Sequence, residues 1–196
     1  MKEIKVAQQD WKDDWAPVIA LVGTELDLEE GRPGVDRVEA GTIRRYVEPL
    51  ELDCALHTDA TAAQAHGYPD IIAPYTAIST FAMQPFWSAG RSNFTSAERN
   101  AQPAKSSVKP VFPPGTPPVT GYFATDMEVE YVRPVHLGER LTRRGNRLVE
   151  CEPKETSVGR GAFIKTESRI EDEAGEVVAR FYVGLYLYNP REKADR

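Results

Sequence analysis

A chain of 196 residues, 41% of them hydrophobic and 28% charged, has enough apolar material for one sizeable core. Its formal charge of −6 and pI of about 5.2 argue against a general affinity for nucleic acid or an anionic membrane. No apolar run approaches the ~20 residues of a membrane span. The charged opening MKEIKVAQQDWKDDW has no apolar stretch of the kind a secretion signal needs, so a cytoplasmic protein is expected.

The elements are expected in this order. WKDDWAPVIALVG (11–23) places Trp11, Trp15, Val18, Ile19 and Val22 at helical spacing and predicts an amphipathic helix. GRPGVDRVEA (31–40) carries turn signals and then a short strand-like entry. EAGTIRRYVEPLE predicts a short helix that ends near Pro49. DATAAQAHG (59–67) predicts one or two helical turns with Asp59 as N-cap and Gly67 as terminator. The strongest helix begins near Pro74, where the missing N–H has no partner to lose. It is expected over about 73–84, buried, with Ala77, Ile78, Phe81 and Ala82 on one face and Pro85 at its end.

Residues 86–119 carry six prolines between Pro103 and Pro118 and predict a long irregular excursion. It reads as a surface loop, or as a lid or pocket wall to which Phe86, Trp87, Phe94 and Phe112 contribute aromatic surface. From Gly121 the pattern changes to four strands. These are YFATDMEVEYV, ERLTRRGNRLVECEP, GRGAFIKTESRIED and EVVARFYVGLYLY, joined in part by the turns RPVHLGERL and DEAGE. In the last strand Val177, Ala179, Phe181, Val183, Leu185 and Leu187 alternate against Arg180, Tyr182, Tyr186 and Tyr188. The layout is α+β, with helices on one face of an antiparallel sheet.

The chemistry-bearing residues concentrate in LELDCALHTDATAAQAHGYPDIIAPYTA (50–77), where Asp53 and Asp59 flank His57. Asp59 is most economically the helix cap, His66 the end of that helix, and His136 an exposed hairpin residue. The two cysteines, Cys54 and Cys151, read as buried free thiols. The three histidines have no metal-ligand spacing, so no metal and no cofactor are expected.

Three segments together resemble the MaoC-like dehydratases and (R)-specific enoyl-CoA hydratases, in particular the FAS1-like N-terminal dehydratase subgroup. They are IRRYVEPLELDCALHTDATAAQAHGYPDIIAP (43–74), the helix from Pro74, and EVEYVRPVHLGERL (128–141). The resemblance implies a hotdog fold, an antiparallel sheet wrapped around the 73–84 helix. It also implies a single domain over 1–196, with an extension over 1–30, a core over 31–189 and a tail over 190–196. Active members carry a motif close to G-D-x-N-P-L-H. Leu56-His57 matches its end, Ala55 stands at the proline and Cys54 at the asparagine. Leu52 stands at the aspartate and Glu51 at the glycine, while Asp53 comes one residue late.

What the resemblance implies for function is an enoyl-thioester hydratase or dehydratase. His57 and Asp53 would be catalytic, and Tyr75, Thr76 and Trp87 would bind substrate, with the Tyr75 N–H donating to the thioester carbonyl. The expected partners are an acyl-CoA or acyl-carrier-protein thioester and a second hotdog subunit, identical or different. A non-catalytic acyl-binding or assembly subunit is the alternative, and a hotdog thioesterase ranks below it. Arg44, Arg45, Arg91, Arg143 and Arg144 are candidate phosphate contacts or simply a solvated face.

Overall fold

The computed structural model describes residues 10–26, 31–85, 87–104 and 112–191. Its frame is an antiparallel sheet with strand order β1-β3-β4-β5-β2. The short β1 (Arg32–Pro33) leads a set of four long strands, β2 (Gly121–Tyr131), β3 (Thr142–Glu155), β4 (Gly159–Glu171) and β5 (Val177–Pro190). Each long strand falls where the alternating sequence puts it. The β4–β5 turn closes on Gly175, whose φ of 84° suits glycine, and Asp172 accepts the N–H groups of Ala174 and Glu176.

One sheet face carries two separate apolar clusters. The first gathers Ile170, Val178, Ala179 and Phe181 of β4 and β5. Over them pack Ile43 and Val47 of α2 (Ala40–Val47) and Ala77, Ile78 and Phe81 of the central helical segment. Ile43 and Ile78 are completely buried, each contributing about 1.5–3 kcal/mol by leaving water. The second cluster joins Leu148, Ala162, Ile164 and Leu187 to Trp15 and Val18 from the N-terminal segment, with Phe112 and Val119 packed alongside. The N-terminal chain also closes part of the β3 edge, since Gly23 and Leu148, then Leu148 and Thr24, exchange backbone hydrogen bonds.

The central helix is shorter than the sequence suggests. A 3₁₀ turn at Tyr75–Ala77 runs into α4 (Ile78–Phe81), so helical backbone covers seven residues rather than 73–84. Pro74 is the N-cap, as its fixed geometry favours. At the other end the chain is pulled away early. Val35 donates its N–H to the Met83 carbonyl, the Gln84 amide reaches the Pro33 carbonyl, and Gly34 lies so close to the Phe81 carbonyl that no side chain fits there. Thr76, Ile78 and Thr80, all β-branched, give the segment little propensity to resist.

The N-terminal helix is likewise broken into a 3₁₀ turn (Trp11–Trp15) and α1 (Ala16–Ile19). Pro17 falls in the first turn of α1, where its missing N–H costs no helical bond, and so marks a fresh helix start rather than the continuation of the 3₁₀ turn. Trp15 and Val18 are buried, but Ile19 and Val22, placed on the same face by the periodicity, are exposed. The short strand at Arg32–Pro33 precedes the 34–37 turn rather than following it. Pro49 does not end α2 abruptly; the backbone tightens into a 3₁₀ turn over Glu48–Leu50.

The 86–119 excursion is more ordered than expected where it is described. Residues 93–104 fold back on themselves, with Thr95 bonded to Gln102 and Ala104 to Asn93. Phe86 lies outside the described residues, and Phe112 belongs to the second cluster. β5 departs from simple alternation at Tyr186. This residue points away from the two clusters, yet it is fully buried beneath Phe163, Tyr188 and Phe123, and its hydroxyl reaches the Lys154 and Gly159 carbonyls. Both cysteines are half-buried free thiols, and burial, with Glu150 nearby, pushes that of Cys151 up to about 11.

Candidate functional site

The segment 50–77 builds a small constellation around a pinned extended stretch. Asp59 caps α3 (Ala60–Ala65), accepting the N–H groups of Thr61 and Ala62 at 2.8 and 3.3 Å. α3 ends at His66, whose Nδ1 lies 2.8 Å from the Ala62 carbonyl, and at Gly67 with φ of 89°. The chain then returns through Ile71–Ala73, held on both sides. Ile72 donates its N–H to the Leu56 carbonyl at 3.0 Å. On the other side Ala73 donates to Val135 and Leu137 to Ile71, at 2.8 and 3.1 Å.

His57 ends a 3₁₀ turn (Ala55–His57) and is half-buried. Its Nδ1 lies 2.8 Å from the Ile72 carbonyl oxygen. A carbonyl only accepts, so Nδ1 carries the proton and the neutral ring presents a lone pair at Nε2. Among the described residues Nε2 has no hydrogen-bond partner. Ile72 stands three residues before Tyr75, which keeps the ring anchor and the helix start within about 10 Å of chain.

At that helix start the N–H groups of Tyr75 and Thr76 have no acceptor among the described residues, while Ala77 donates to the Pro74 carbonyl at 2.9 Å. Free donors at a helix start favour a developing negative charge in front of them. The Tyr75 ring packs 5.0 Å from that of Tyr131 at the end of β2. Burial, helped by Tyr46, raises the Tyr131 phenol above its ordinary value, so it stays an O–H donor through the neutral range. Tyr131 was not among the residues singled out in the sequence; the signal available was its place at the end of an alternating strand.

The residues at the motif's acidic end behave differently. Glu51 has φ 51° and ψ 38°, the left-handed conformation, at the position where the resemblance puts a glycine. Leu52, at the position where the resemblance puts the aspartate, is 40% exposed. Asp53 is exposed, and among the described residues no ion pair joins it to His57. Trp87 is also exposed, its indole N–H donating to the Arg91 carbonyl at 2.6 Å within its own turn. Neither is brought to the His57–Tyr75 region by a described contact.

His136 is not the exposed hairpin residue expected. Its backbone bridges Ile72, its ring tilts against Tyr68 with centroids 6.1 Å apart, and its buried Nδ1 has no partner among the described residues. The bridge to Ile72 draws it inward, which no local pattern in RPVHLGERL announces. Among the described residues no group of three His, Cys, Asp or Glu is placed to hold a metal ion. No helix there is long and apolar enough to cross a membrane.

Comparison with known proteins agrees with this architecture. Residues 20–181 match the family model described as FAS1-like, dehydratase domain region. A curated relative, the probable enoyl-CoA hydratase alpha subunit of Thermomonospora curvata, is 27% identical over 168 residues, covering 84% of this chain and 49% of its own. The chain thus spans about half the length of that relative. Among solved structures, the ChsH1-ChsH2 complex from Mycobacterium tuberculosis gives a TM-score of 0.63 at 22% identity, covering 92% of this chain and 96% of the other. The HadBC (3R-hydroxyacyl-ACP dehydratase) complex from the same organism gives 0.50 at 14% identity, covering 84% and 99%. These structural likenesses establish the fold, an α+β hotdog.

Proposed function

The chain belongs to the FAS1-like dehydratase-domain family within the MaoC-like hotdog proteins, and on that premise we propose that it is a component of an enoyl-thioester hydratase or dehydratase. It adds or removes water at a 2-enoyl acyl group, with coenzyme A as the thioester handle. The observation that carries this reading is the His57 ring, anchored through Nδ1 to the Ile72 carbonyl, close in the chain to the N–H groups of Tyr75 and Thr76, which like Nε2 have no partner among the described residues.

In the hydration direction His57 Nε2 takes a proton from water as its oxygen bonds to Cβ. The π electrons move toward Cα and the thioester carbonyl, whose oxygen accepts hydrogen bonds from the Tyr75 and Thr76 N–H groups as its charge grows. Cα then takes a proton from the imidazolium, and the neutral ring is restored. Asp53, one residue beyond the motif's aspartate position, would be its carboxylate partner, acting through water. Trp87 would line the acyl side of the pocket. The test is hydration of a 2-enoyl-CoA by the wild-type assembly, His57→Ala and Asp53→Asn. Wild-type turnover from His57→Ala in every assembly state removes the catalytic assignment.

A second reading rests on a specific observation. Leu52 stands where the motif carries its aspartate, and Asp53 is solvent-facing without a described partner. These features favour a subunit that shapes the acyl pocket beside a catalytic hotdog partner. In that case both substitutions leave the complex active, and changes to the partner's own acid/base pair abolish turnover.

A further inference from the structure

The sheet face that carries the two clusters also carries an arginine. Arg143 lies opposite Ile170, a completely buried member of the first cluster, so its side chain leaves the sheet on that same face. Its Nε and Nη2 donate to the Ser168 hydroxyl at 3.2 and 3.1 Å, and its guanidinium carbon sits 5.3 Å from the centre of the Phe181 ring. Ser168 pairs with Phe181, and Phe181 with Val129 of the edge strand β2. Arg143 itself stands in the row Arg143, Ile170, Ala179 and Tyr131, and its side chain leans across to the next row, Ser168, Phe181 and Val129.

The neighbouring row, Leu148, Thr166, Val183 and Met127, belongs only at its far end to the second cluster. Between the clusters Thr166, Ser168 and Val183 remain half-buried, and Met127 at the β2 edge is 69% exposed. The result is a half-buried seam between the clusters that reaches Met127 at the β2 edge, with the Arg143 guanidinium against Ser168 on its β3 side.

Guanidinium offers five N–H donors. Ser168 accepts from two of them, and the end-on fork formed by Nη1 and the outer Nη2 hydrogen has no acceptor among the described residues. Nor is a described carboxylate paired with it, in contrast to Arg133, Arg144, Arg147 and Arg180, each of which has one. Arg143 is exposed to solvent, although the protein packed around its guanidinium lowers its pKa from the ordinary arginine value. A cation resting on an aromatic ring, with no acceptor at its bidentate edge among the described residues, is suited to a carboxylate.

We propose that Arg143 anchors the distal end of the acyl subsite and that the acyl group it selects bears a carboxylate at the end remote from the thioester. This rests on the acyl-thioester reading above and adds the substrate class. From β2 to β3 the row crosses three strand spacings, about 14 Å, which a medium-length chain spans.

The test uses saturated thioesters, which cannot react, so binding is read apart from chemistry. The full-length protein in its assembled state is titrated by calorimetry with a matched pair, a medium-chain ω-carboxyacyl-CoA and the corresponding ω-methyl acyl-CoA. The wild type binds the carboxylate form more tightly by about tenfold or more, as expected for a charge-assisted bidentate contact. Arg143→Met abolishes that preference while leaving affinity for the methyl form unchanged. Arg143→Lys, which keeps the charge without the fork, retains only part of it and guards against misfolding of the methionine variant. Equal weakening of both ligands would make Arg143 a contact to the CoA portion and overturn the inference. So would an absent preference in the wild type, with hydration of the matched enoyl thioester then leaving the hydratase reading intact. Binding of neither thioester overturns both.

Discussion

The Ile72 carbonyl oxygen sits 2.8 Å from His57 Nδ1 and fixes which nitrogen of the ring is a base. The same residue receives nothing from chance, because its N–H is bonded to Leu56 and its backbone bridges His136. Replacing His57 by alanine is expected to lower enoyl-thioester hydration by ~10²–10⁴-fold, the usual loss for a positioned acid/base group. Steady-state rates on the assembled protein, with circular dichroism to verify the fold, provide the measurement.

Glu51 occupies the left-handed region with φ 51°, where a side chain carries a penalty that glycine avoids. Glu51→Gly is expected to stabilise the protein by about 0.5–1 kcal/mol, the relief of that penalty less the greater freedom of glycine in the unfolded chain. A rise in the urea midpoint at constant slope is the signature. A fall in the midpoint would mean that the side chain makes a compensating contact.

Asp59 accepts two N–H groups at the start of α3. Asp59→Ala should destabilise by about 1 kcal/mol, and Asp59→Asn by much less, because asparagine also caps well. Equal loss from both variants, measured by denaturant titration, would assign the effect to charge rather than capping.

Burial alone would raise the Asp172 pKa, but the Glu176 N–H, the Arg133 guanidinium and the Ala174 N–H outweigh it, and the carboxyl lies below its ordinary value. A lowered carboxylate contributes stability above the unfolded pKa of about 3.9 and loses it as pH falls through the folded one. Asp172→Asn should therefore be less stable than wild type at neutral pH, and the gap should close in strong acid. Urea midpoints across acid to neutral pH test the sign, and a gap that widens on acidification contradicts it.

β2 is the last strand of the sheet, and Tyr122, Phe123, Met127 and Tyr131 on it are all exposed. An apolar edge of this length invites pairing with another hotdog subunit. Sedimentation at micromolar concentration should show a species larger than the 21.9 kDa chain. Charge at the edge, as in Tyr122→Glu with Met127→Glu, should shift the population to monomers. A wild type that runs only as monomer, with and without co-expressed hotdog subunits, contradicts the assembly.

The four long strands were legible because apolar residues recur at every second position from Val177 to Leu187, despite the buried Tyr186, and Gly138 and Gly175 mark turns. The cap at Asp59 and the helix start after Pro74 were legible too, since each is a local chemical signal. The end of α4 was not, because it is decided by Gly34, Val35 and Met83, which meet only in three dimensions. The candidate site was legible as a list of residue types and not as an arrangement. The Ile72 carbonyl that orients His57 and the bridge that draws His136 inward belong to tertiary contacts, and Arg143 looks like any surface arginine until Ser168 and Phe181 are seen beneath it.

The two apolar clusters are covered by different stretches of chain, α2 and the central helix over one, the N-terminal segment with Phe112 and Val119 over the other. The imidazole and the helix start lie beside the first cover, while the second lies across the seam. Substitutions at Trp15, Val18 or Phe112 thus alter the second cover without touching the backbone that holds His57. On the proposed reading, catalysis and selectivity would be inherited by separate segments, and the range of acyl groups accepted could drift while the reaction stayed the same.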